Sequence, residues 1–87
     1  MAVWGQDVEQ VRRLSSQLNN EASSIRTIVS TLTSTLAQTE WTGPDADRFR
    51  NDWQSQHVPN LNRVIEALQE TAQAASANAQ AQESTSA

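Results

Sequence analysis

The chain contains no cysteine, no tyrosine and no lysine, and only two glycines and two prolines. Each shortage removes a class of explanation. Without cysteine there is no disulfide framework and no thiolate metal site. The single histidine, His57, leaves little from which to build a zinc site, and no cofactor is expected. So few glycines and prolines argue against a loop-rich fold. One phenylalanine, no tyrosine and few β-branched residues outside Ser/Thr-rich segments supply a sheet poorly. The six basic residues, all arginine, face ten acids, for a net charge of −4. Nucleic acid, which needs a basic footprint, is therefore not an expected partner. No apolar run approaches the roughly 20 residues of a membrane span, so stable membrane insertion is not expected. No N-terminal stretch joins a basic region, an apolar run and a small-residue cleavage site. Export by the general secretory route is not expected, and other routes stay open.

What the chain does have is a centre. Trp41-Thr42-Gly43-Pro44 sits near the midpoint of the 87 residues, between two long polar-apolar patterns. Gly43 accepts backbone angles that other residues resist. Pro44 suits the first position of a helix, where its missing N–H is not needed. Asp45 and Asp47 then place negative charge at an electropositive helix N-terminus. The stretch reads as a helix ending, a tight turn over residues 41–43, and a second helix beginning, with Trp41 as a large ring at the elbow.

Upstream, Asp7 is a plausible N-cap, and Gln10 three residues on completes a capping-box pattern. Val8, Ala22, Val29 and Leu36 share one heptad position, with Ser15 as its polar exception. Val11, Leu18, Ile25 and Leu32 share the other, and Leu14 and Ile28 widen the stripe on one flank. Three-four spacing over four heptads predicts an amphipathic helix over about 7–40. The Ser/Thr-rich run from Ser30 to Thr35 is a mediocre helix former, so packing of the stripe has to hold the helix.

Downstream, Ala46, Phe49, Trp53, Leu61, Val64, Ile65, Leu68, Ala72, Ala75 and Ala79 predict a second helix over about 44–81. The pattern blurs between Trp53 and Leu61. There Pro59 loses a backbone hydrogen bond and disfavours helical angles at Val58, which predicts a kink or short break near 55–59. Residues 82–87 are small and polar and are expected to be disordered.

Two such arms joined by a short turn lie antiparallel. The turn sets Leu36 level with Phe49, Leu32 with Trp53, Leu18 with Ile65, Val11 with Ala72, and Trp4 near Ala79. Val11, Leu18, Ile25, Leu32 and Leu36, with Phe49, Trp53, Leu61, Val64 and Leu68, are the expected hairpin core or dimer interface. One domain at most fits in this length, and a chain this short buries little of its surface alone. The stripe is wider than one partner helix covers, so the expected fold is an all-α antiparallel hairpin that dimerises into a four-helix bundle. Each Val or Leu buried there contributes about 1.5–3 kcal/mol, so a handful offsets an association cost on the order of 4–15 kcal/mol.

Catalysis is not expected, because a two-helix hairpin offers no concave site for a nucleophile and base. His57 reads as a polar residue at the kink. Asp45, Asp47 and Asp52 lack the glycine and terminal glutamate of a calcium loop. They read as helix N-terminal charge with local pairs, Asp45 with Arg48 and Asp47 with Arg50, beside a similar Glu9–Arg13 pair. A membrane-surface role is a weaker reading, since the polar faces carry Ser, Thr, Gln and acids rather than a basic surface.

With a central Trp41-Thr42-Gly43, heptads on both sides and Gly43-Pro44-Asp45-Ala46-Asp47-Arg48-Phe49 after it, the chain resembles the WXG100 family. These are the proteins similar to the early secreted antigenic target of mycobacteria. The resemblance covers about residues 8–79. It implies a homodimeric or heterodimeric four-helix bundle exported folded, without a cleaved signal, by the type VII (ESX) secretion system of actinobacteria and firmicutes. The chain would be cytoplasmic before export and extracellular after it. The implied partners are a second copy or a paralogous hairpin, the type VII secretion ATPase, and for escort members a larger toxin. The implied export motif pairs Trp41 and Gly43 with a C-terminal Tyr-X-X-X-Asp/Glu segment on the partner. Here that segment is Ala79-Gln80-Ala81-Gln82-Glu83. Glu83 stands at the acidic position, but Ala79 replaces the tyrosine. This departure favours an escort that relies on its partner's tail as the alternative reading.

Overall fold

A computed structural model describes residues 7–86, with side chains to residue 84. The expected place of Trp4 beside Ala79 lies outside the described residues. Every described element is helical. Helix α1 spans Val8–Gln38, α2 spans Pro44–Asp52, a π-helical turn spans Trp53–His57, and α3 spans Val58–Ser86. The last three run on without a break, so the architecture is two long arms folded back at residues 39–43. The molecule measures 63 × 17 × 14 Å, and its radius of gyration is 19.2 Å. A compact chain of this length would have a radius near 12 Å. The all-α antiparallel hairpin is therefore present, as a rod rather than a globule.

Helix α1 begins as the sequence predicts. The Asp7 carboxylate accepts from the Gln10 backbone N–H at 3.1 Å, satisfying a first-turn donor. The helix ends two residues before the expected limit. Thr39 is extended (φ −85°, ψ 128°), and its hydroxyl donates back to the Thr35 carbonyl at 2.6 Å. Gly43 then takes φ 117° and ψ 173°, a region that essentially only glycine occupies. A Cβ there would touch nothing within 4 Å. Backbone conformation alone, rather than crowding, calls for glycine. Pro44 stands at the start of α2, and the Asp47 N–H donates to the Gly43 carbonyl at 3.0 Å.

The kink or break expected near 55–59 takes the form of the π turn. The Val58 N–H donates to the Trp53 carbonyl, an i→i+5 bond. In a regular α-helix the ring of Pro59 would strike the Ser55 carbonyl. One inserted residue widens that turn and relieves the clash. It also explains the blurred pattern, because five residues instead of four separate the inward-facing Trp53 from Val58. After the insertion the heptad resumes at Val58, Ile65, Ala72 and Ala79. The tail is a second correction. Residues 82–86 continue α3 and are not a disordered end. Gln82 is half-buried, and Glu83 pairs with Arg12 at 3.2 Å.

The core is narrow. Ala22, Ala46, Trp53, Ile65, Ala72 and Ala79 are buried, with Ser15 the one buried polar residue among those described. Ser15 Oγ donates to the Ala72 carbonyl at 2.7 Å across the hairpin. So short a side chain reaches the opposite backbone only where the axes approach closely, which alanine allows. Ser15, rather than Val11, therefore meets Ala72. Trp53 meets Thr33, with Leu36 nearby, rather than Leu32: its indole N–H donates to Thr33 Oγ1 at 2.9 Å.

Candidate functional site: the elbow and the apolar face

Five side chains build the elbow. Phe49, Trp53 and His57 follow one another at four-residue spacing along the second arm, and their rings gather into a three-way cluster on one side. Centroids lie 6.4 Å apart for Phe49–Trp53, 6.3 Å for Trp53–His57 and 6.5 Å for Phe49–His57. Trp41 reaches in from the connection, 6.1 Å from Phe49. Of these rings only Trp53 is buried. Trp41 and Phe49 are 41% and 40% exposed, so they anchor the turn and also present aromatic surface to solvent.

Arg50 is the residue that sequence reasoning misplaced. No ion pair joins it to Asp47, nor Arg48 to Asp45, nor Arg13 to Glu9, among the described residues. The Arg50 guanidinium donates instead to the Leu36, Thr39 and Trp41 carbonyls, at 3.2, 2.9 and 2.6 Å. Its Cζ lies 5.9 Å from the centre of the Trp41 ring, within cation–π range. The last carbonyls of a helix lack intrahelical partners and attract cations. Helix α1 has no basic residue in its last turn, so the second arm supplies one. That vacancy was visible in the sequence; the reach of Arg50 across the turn was not.

Beyond the elbow the two sides of the rod differ. On one side Arg12 pairs with Glu83, and Asn19 shares an open groove of about 520 Å³ with Glu66, Gln69, Glu70 and Gln73. This side is polar. On the other, Leu14, Ile28 and Leu32 of α1 and Val64 of α3 are exposed, at 49, 52, 43 and 45%. Half-buried Leu18, Ile25, Leu61 and Leu68 lie between these and the core, and Phe49 and Trp41 continue the stripe to the elbow. Of the expected core set, Trp53 is buried, Val11, Leu18, Ile25, Leu36, Leu61 and Leu68 are half-buried, and Leu32, Phe49 and Val64 face solvent. Within one hairpin those last three are surface residues.

The residues of the degenerate tail motif are both engaged. Ala79 is fully buried, and Glu83 is held by Arg12. No described group of three His, Cys, Asp or Glu side chains is placed to bind a metal. No described helix is long and apolar enough to cross a membrane. A cleft of about 160 Å³ beside Trp53 is lined by Thr33, Leu36, Ala37, Arg50 and Gln54. Comparison with known proteins brings no relative to this geometry: no protein-family model, no curated protein and no solved structure matches the chain.

Proposed function

We propose that this protein is a small helical-hairpin interaction protein of the WXG100 type, exported folded by a type VII secretion system as a dimer with itself or a paralogous hairpin. One observation carries the reading. The chain is a rod of two long arms whose turn is Trp41-Thr42-Gly43, with Trp41 left accessible at the tip and one lengthwise face apolar. An accessible tryptophan at a rigid corner is a surface that another protein can read. An apolar face along both arms is what a four-helix bundle requires. No catalytic step and no cofactor enter the reading. The test is export from the native host with and without the secretion ATPase. Extracellular protein that depends on the ATPase, and on Trp41 and Gly43, is expected; levels indifferent to all three would overturn the assignment.

A second reading is favoured by the tail. With alanine where an aromatic would stand, Ala79 is packed into the hairpin and Glu83 is occupied by Arg12. Such a chain serves as an escort whose larger partner carries the accessible tail. Under this reading a pull-down from the host recovers a longer protein together with the hairpin, and the export of each depends on the other.

A further inference from the structure

Helix capping does not account for every contact that Arg50 makes. The residue is carried by the second arm, yet its hydrogen bonds go to backbone carbonyls that precede the glycine of the turn. Nε and Nη2 donate to Leu36 at 3.4 and 3.2 Å, Nη2 also to Thr39 at 2.9 Å, and Nη1 to Trp41 at 2.6 Å. Leu36 and Thr39 form the end of α1, where orphan carbonyls call for a donor. Trp41 lies beyond that end, in the connection, where capping requires none. No carboxylate pairs with Arg50 among the described residues, although Asp47 stands three residues before it and Asp52 two after.

Trp41 is thereby held at both its backbone and its ring. Its carbonyl accepts from Nη1. Its N–H donates to the Thr39 carbonyl at 3.0 Å, the same oxygen that Nη2 reaches. Its ring centre lies 5.9 Å from Arg50 Cζ and 6.1 Å from the Phe49 ring. Because Trp41 is so exposed, core packing does not select its rotamer. An exposed side chain on an irregular connection otherwise hops between staggered wells. One guanidinium can serve three carbonyls and lie over an indole because it is planar, with donors at fixed angles. A lysine ammonium is a compact point charge and cannot do both.

We propose that Arg50 is a positioning residue for recognition at the elbow: it holds the Trp41 indole in the single orientation that a partner reads. The proposal rests on the reading of Trp41 as a recognised surface. It adds a residue outside the Trp41-Thr42-Gly43 turn, seven positions after Gly43. Ordering a side chain before contact removes a cost that binding would otherwise carry. Recognition therefore weakens when Arg50 is changed, even where the fold and Trp41 are both kept. A pure cap would behave differently. Any base in the last turn of α1 would complement the carbonyl end of that helix, and α1 has none there. Exposed Gln38, in that turn, offers a place for one.

The test uses the full chain with fluorotryptophan at its three tryptophans, read by fluorine NMR, together with ATPase-dependent export from the native host. Trp41→Phe assigns the Trp41 resonance. In Arg50→Lys and Arg50→Gln that resonance should move toward the position of a free indole, while circular dichroism shows the helix content kept. Arg50→Lys retains a cation for the end of α1 and so guards against simple unfolding. Export of both variants should fall to about a tenth of the native level, as for Trp41→Ala. Adding Gln38→Lys to Arg50→Gln should recover lost Tm but neither the resonance nor the export. Native-level export of both Arg50 variants, an unmoved Trp41 resonance, or export recovered by Gln38→Lys overturns the positioning role and leaves the reading of Trp41 standing. Native export indifferent to the ATPase and to Trp41 overturns that reading, and the proposal with it, whatever the resonance shows.

Discussion

At the elbow end of the hairpin, four rings, one guanidinium and a glycine in an unusual conformation define the turn. At the far end, the arms are held by alanines, one serine hydroxyl and an exposed ion pair. Trp53 is the largest buried side chain at the elbow, and its indole N–H is satisfied by Thr33. Near the termini, Ala72 and Ala79 bury little area each, and Ser15 supplies the directional contact. The difference teaches where one hairpin can support itself. The elbow is a self-contained cluster. Toward the termini each contact buries little, against a backbone ordering cost of about 1–2 kcal/mol per residue. The exposed leucines and isoleucine of α1, Leu14, Leu32 and Ile28, are apolar surface that the hairpin itself does not use.

Substitutions at the two ends put this contrast at risk. The largest loss is expected for Trp53→Ala, about 3–5 kcal/mol from lost burial and the cavity left behind. Chemical denaturation followed by circular dichroism should show most of the cooperative transition gone. A loss near 1 kcal/mol would mean that the elbow does not anchor the fold. Gly43→Ala comes next, at about 1–3 kcal/mol, because an alanine resists φ 117° although nothing crowds its methyl. Its mark should be a lowered Tm with helix content kept, since strain at a turn need not unwind the arms.

Ser15→Ala tests the far end. One buried hydrogen bond contributes about 0.5–1.5 kcal/mol, and the Ala72 carbonyl keeps its place in the helix ladder. Hydrogen exchange should quicken around Ser15 and Ala72 while protection at the elbow is unchanged. Equal loss at both ends would show that the two are not separable. The smallest effect is expected for Glu83→Gln, under about 1 kcal/mol, because the Arg12–Glu83 pair is exposed. That effect should vanish in high salt.

Much of this was legible in the residues. The Asp7 cap and the Gly43-Pro44 junction are local devices whose chemistry acts over three or four residues, and both stand where the pattern placed them. Other features depend on what lies across the hairpin. The end of α1 is capped by Arg50, fourteen residues beyond the carbonyl of Leu36, and no spacing rule links the two. The blurred stretch around Pro59 announced an irregularity but not its form. A π turn and a break both relieve a proline, and only the π turn keeps Trp53 and Val58 on the same inner face. The tail looked too polar and small to be ordered, yet Gln82 is half-buried and Glu83 pairs with Arg12 of α1.

From the order of residues alone came two amphipathic arms, a corner at Trp41-Thr42-Gly43-Pro44 and an antiparallel return, because periodicity and turn chemistry act along the chain. Folding in three dimensions settled which half of the apolar stripe is used up inside the hairpin and which half remains outside. That depends on the rotation of one helix against the other. Ser15 reaching Ala72, Arg50 closing the end of α1 and one inserted residue at the π turn fix that rotation together, and none of the three is a property of a single helix.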